Sequence, residues 1–95
     1  EPGQIEVMIR RVLDRGAKRL ETCYNQRLKV DPGFRGAWDV SLRVTREGKS
    51  EAVHVRTLRG DDPATAECIR REAGRWSFQR VVEPYEISRT YRFGG

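Results

Sequence analysis

The sequence predicts an α+β fold: a two-layer sandwich with a three-stranded antiparallel sheet in the order 2-1-3 and both helices on one face. Three observations predict it. Apolar residues recur at helical spacing in two segments and alternate in three others, in the order α-β-β-α-β. Each alternating segment has one apolar and one polar side, as in an antiparallel sheet wetted on one face, so both helices must cover the other face. A right-handed crossover through the second helix then brings the third strand beside the first.

The first helix is expected over about residues 4–29. Ile5, Ile9, Val12, Leu13, Gly16, Leu20, Cys23 and Tyr24 form its apolar stripe. Glu6–Arg10 and Asp14–Lys18 are acid-before-base pairs one turn apart, the favourable orientation. Asp31-Pro32-Gly33 ends the helix, because Pro cannot continue it and Gly supplies the turn.

The period then changes. Trp38, Val40, Leu42 and Val44 alternate with polar residues in a strand over 36–46. Glu47-Gly48-Lys49 reads as a hairpin turn. Val53 and Val55 alternate with His54 and Arg56 in the returning strand, 50–58.

Asp62 at the cap and Pro63 at the first helical position open a second helix over 63–75, with Ala66, Ile69, Ala73 and Trp76 on one face. Trp76 and Phe78 enter the core at its exit. Gln79–Pro84 connects to a last strand, 85–93. There Ile87, Tyr91 and Phe93 share a parity with Arg89, so either Arg89 snorkels or a bulge resets the phase. The expected core is Leu20, Trp38, Val40, Leu42, Val44, Val53, Val55, Ile69, Trp76 and Phe78.

Ninety-five residues make one domain, 1–95, read as cut from a longer protein because the chain starts without Met. The net charge is +5, almost all of its basic residues are arginine, and acids are interspersed among them. A nucleic-acid domain would concentrate that charge; the stretch Arg10, Arg11, Arg15, Lys18 and Arg19 is the one place where it does. No apolar run reaches the roughly 20 residues of a membrane helix.

Enzyme chemistry is not expected. The one histidine, His54, falls on the outward face of a strand. Asp61 and Asp62 belong to a helix cap, and no phosphate loop occurs. Arg59-Gly60-Asp61 spells a cell-attachment tripeptide, but it sits in the turn that loads the second helix. Two cysteines and one histidine cannot complete a zinc site, and no metal or cofactor is expected. Cys23 and Cys68 are either two buried thiols or a bridge closing a loop of about 46 residues, worth roughly 4 kcal/mol. The architecture does leave sheet edges, which either accept another strand or are protected by charges such as Arg89 and Arg92.

Several motifs are familiar in combination. Gly36-Ala37-Trp38-Asp39-Val40-Ser41-Leu42-Arg43-Val44, then Gly48, then Ala52-Val53-His54-Val55, resembles the hairpin of the TonB C-terminal domain. Ala73-Gly74-Arg75-Trp76-Ser77-Phe78 resembles that domain's helix exit, although Gln79 and Arg80 stand where a Pro is usual. Cys23-Tyr24-Asn25 with Leu28, and Cys68-Ile69, are similar to the paired cysteine positions of the AgmX/PglI C-terminal domain, a TonB-like family of adventurous gliding motility.

The resemblance implies a periplasmic interaction domain of an inner-membrane-anchored protein, the anchor lying in a missing N-terminal part. It implies a Cys23–Cys68 disulfide stapling the two helices. It further implies coupling of an inner-membrane motor to a periplasmic or outer-membrane protein. An extended segment of that partner would pair with Ser88, Arg89, Thr90, Tyr91, Arg92 and Phe93, and edge pairing could also make a homodimer. No nucleic acid and no small-molecule substrate is expected on this reading. The alternatives are a basic nucleic-acid-binding domain using Arg10, Arg11, Arg15 and Arg19, and a structural domain packing within its own protein.

Overall fold

The computed structural model describes residues Pro2–Gly94. The chain runs α1 (Pro2–Leu28), β1 (Gly36–Val44), β2 (Ser50–Arg59), α2 (Pro63–Gly74) and β3 (Tyr85–Phe93). The sheet is antiparallel throughout, in the order β2-β1-β3, and the helices form the second layer. At 1.5 Å per residue α1 is about 40 Å long, roughly 10 Å longer than a nine-residue strand. The molecule is correspondingly elongated, 44 × 21 × 18 Å.

The central strand carries the core. Trp38, Val40, Leu42 and Val44 alternate inward and are all buried. Leu20, Ile69 and Ala73 meet them from the helices, and Trp76 and Phe78, in the segment after α2, complete the core. α1 and α2 run antiparallel: Arg27 lies 3.9 Å from Asp62, Cys23 is bonded to Cys68, and Gly16 packs on Trp76. A Cβ at Gly16 would meet three indole atoms of Trp76 at under 3.0 Å, so the absent side chain is what lets α1 lie over that ring.

Some expectations require correction. Val53 and Val55 are half-buried rather than core. They sit on an edge strand, and β2 carries two irregularities against β1, where Ala37/Trp38 and Ser41/Arg43 lose step. The second coincides with Ala52, which adopts φ 51°, the one non-glycine residue with positive φ among those described. This bulge rephases the strand, turning Ser50 inward to donate to the Trp76 carbonyl at 3.0 Å.

β1 also ends at Val44, not at residue 46. Thr45 closes the turn instead: its N–H donates to the Lys49 carbonyl at 2.8 Å and its hydroxyl accepts the Lys49 N–H at 3.0 Å. Gly48 in that turn has φ +84°, a conformation that suits glycine. Neither Glu6–Arg10 nor Asp14–Lys18 is an ion pair; Asp14 is drawn across to Arg89 instead. The Asp62 carboxylate caps α2 indirectly, accepting the Thr65 hydroxyl rather than a backbone N–H.

Two buried residues carry no periodic signal. Phe34, in the loop after α1, packs on Tyr24 and Trp38 and lies under the Arg27 guanidinium, 5.6 Å from it. Val81, in the connection after α2, donates its N–H to the Arg46 carbonyl at 3.2 Å and is buried there.

Candidate functional site

Every strand residue has its N–H and C=O on one side, alternating along the chain, so an edge strand leaves half of its backbone groups unpaired. The sheet has two such edges, and they differ in kind. β2 is bulged twice against its partner and bears the exposed charges Glu51, Arg56 and Arg59. Bulges and charges are how natural sheets discourage a further strand. β3 also bears exposed charges, Glu86 and Arg92, but it pairs with β1 without a break from Gly36↔Phe93 to Val44↔Tyr85, so the two edges differ in their bulges.

β3 is also held from both faces. On the helix side Tyr85, Ile87, Arg89, Tyr91 and Phe93 point inward. Arg89 resolves its own ambiguity: it snorkels, and its guanidinium binds the Asp14 carboxylate of α1. Tyr91 is 5% exposed and donates its hydroxyl to the Leu13 carbonyl at 2.8 Å. Burial pushes its phenol up to about 12. Phe93 stacks on Tyr24 with ring centroids 5.3 Å apart.

On the outer face Ser88, Thr90 and Arg92 are exposed. The Thr90 hydroxyl donates to Asp39 of β1, and Arg56 of β2 donates to the same carboxylate at 2.6 Å. These bonds, that from Thr90 foremost, hold the Asp39 carboxyl below its usual range. One carboxylate thus ties all three strands together at mid-sheet.

The N-terminal half of α1 runs alongside β3. A groove of about 320 Å³ lies between them. Ile9, Leu13, Tyr85 and Ile87 line its apolar part, and Glu6 and Arg10 its charged part. An added strand would turn every second side chain toward this groove and the others toward the wet face.

No protein-family model, curated protein or solved structure matches this chain. The geometry therefore carries the functional argument.

Of the residues singled out in the sequence, Ser88 to Phe93 form one contiguous edge, but they contribute differently. The side chains of Arg89, Tyr91 and Phe93 are committed inward, so that edge offers a partner its backbone and the outward side chains of Ser88, Thr90 and Arg92. The groove residues of α1 escaped sequence reading. Ile9 and Leu13 read only as part of the apolar stripe of the first helix; the structure buries both in the core and sets them along the wall of the groove.

Cys23 and Cys68 are joined in a disulfide between α1 and α2, with Cα atoms 5.7 Å apart. It lies in the helix layer and does not border the β3 groove. His54 is exposed on the outer face opposite Ser41. Among the described residues no cluster of three metal-ligating side chains occurs.

Proposed function

We propose that this chain is a non-enzymatic protein-interaction domain that takes up an extended segment of a partner along the free edge of β3. The observation that carries this is the pairing of an unbroken, doubly anchored edge strand with a groove alongside it that is half apolar and half polar. A strand held rigid before binding loses little freedom on binding, so more of the main-chain hydrogen bonding appears as affinity. The resemblance of the Gly36–Val44 hairpin and of Trp76-Ser77-Phe78 to the TonB C-terminal domain supports the same reading. On it, the domain works in the periplasm, within an envelope-spanning gliding-motility or transport complex. There it couples an inner-membrane motor to a periplasmic or outer-membrane protein. The Cys23–Cys68 bridge is compatible with such an oxidising compartment.

The test uses two adjacent prolines. N–H directions alternate along β3, so of Arg89→Pro and Thr90→Pro one removes a donor from the free edge and the other a donor to β1. Extended peptides are first selected from a displayed random library, and hydrogen exchange is measured with and without the best binder. The expected result is new protection of β3 amides. One proline variant should lose peptide binding while keeping its thermal midpoint, and the other should lose stability. Protection confined to β2 or the helices, or binding retained by both variants, overturns the proposal.

A further inference from the structure

On its β3 flank α1 carries acids as well as Arg10, whereas a row of arginines leads to its α2 flank. Glu6 lines the β3 groove, and Asp14 reaches Arg89 of β3. Arg11, Arg15 and Arg19 follow one another at four-residue steps, so they form a row on one side of the helix. Arg19 ends this row in a second cleft, between α1 and α2, of about 570 Å³. Arg71 of α2 and Arg75 just after it line the other wall, and the Cys23–Cys68 disulfide lies between. Glu72 is the one acid there, and it is engaged 3.7 Å from Arg75. Arg11, Arg15, Arg19 and Arg71 are all exposed, and none forms an ion pair among the described residues.

We propose that this arginine-walled cleft between α1 and α2 is a second docking site, separate from the β3 edge, for an acidic peptide segment. Guanidinium groups bind carboxylates in a bidentate fork and shed water more readily than ammonium groups, which favours carboxylates over water at these arginines. A short run of carboxylates interleaved with apolar residues matches both the charges and the disulfide between them. A nucleic-acid strand matches less well. The exposed large apolar residues, Val7, Met8, Val30, Leu58 and Val82, are all aliphatic and give bases nothing to stack on.

The experiment titrates the 95-residue chain into a fluorescein-labelled peptide of alternating Glu and Leu, its Gln-for-Glu analogue, and a single-stranded oligonucleotide. Saturable, salt-sensitive binding of the Glu peptide alone is expected. Arg19→Glu with Arg71→Glu should weaken it by about tenfold or more, as expected for losing a charge-assisted hydrogen bond. Arg46→Glu with Arg59→Glu makes the same change in net charge outside the cleft and should leave affinity within about twofold. The pair Arg19→Gln and Arg71→Gln decides the matter if the charge reversals impair folding. Absence of saturable binding, equal losses in the two reversal pairs, or tighter binding of the oligonucleotide at the cleft overturns the proposal.

Discussion

Gly16 sits mid-helix, where glycine costs about 1 kcal/mol relative to alanine. By propensity alone Gly16→Ala should stabilise the protein. The indole of Trp76 reverses that sign, because it occupies the space the methyl group would need. Trp76 is 1% exposed and has no room to withdraw. Overpacking of this kind costs about 1–3 kcal/mol, so after the propensity gain the net effect should be a loss of up to about 2 kcal/mol. A urea midpoint that falls at constant m-value is the expected result; a rise would mean that α1 is free to lift from the ring.

The contrast between β2 and β3 belongs to the scale of elements. Tyr91 joins β3 to α1 through a buried phenol whose proton is held well past its ordinary range. The native phenol titrates at about 12 and the unfolded one near 10.0. Above pH 10 the unfolded chain therefore binds fewer protons than the native one, and stability must fall as pH rises between these values. Below pH 10 this contribution is present in full. Equilibrium unfolding of Tyr91→Phe should show a weaker alkaline decline across that window, together with a loss of about 1 kcal/mol at neutral pH from the missing hydrogen bond.

The order of elements, the sheet topology and the inward set of β1 were legible because each follows from period alone. Trp38, Val40, Leu42 and Val44 alternate without interruption. Arg89 was legible only as a question, since parity placed it inward and chemistry objected; the answer lay in Asp14, 75 residues away. The bulges of β2 were not legible, because a bulge depends on how two strands register and not on either one alone. The β3 groove was hidden for a related reason: it lies between α1 and β3 and depends on how the two elements pack, not on either one alone.

At the scale of the whole molecule the disulfide dominates. It spans 45 residues and encloses β1, β2 and the start of α2. In the chain-entropy view such a loop is worth about 4 kcal/mol, a large part of the stability of a domain this small. Cys23→Ser with Cys68→Ser should therefore lower the thermal midpoint by well over 10 °C, at about 4–8 °C per kcal/mol. Intact mass after alkylation without reductant, on protein exported to a bacterial periplasm, should find no free thiol. A midpoint indifferent to the double substitution would remove the bridge as a source of stability.

The same bridge determines how the protein answers to tension. Fully extended, the enclosed segment would reach about 160 Å, and a pull on the two ends cannot release it while the bond holds. Force entering through α1 crosses directly from Cys23 to Cys68 and continues along α2 into β3. The hairpin of β1 and β2 hangs off that covalent route and carries no tension through the backbone. β3, the strand with the open edge, lies on it.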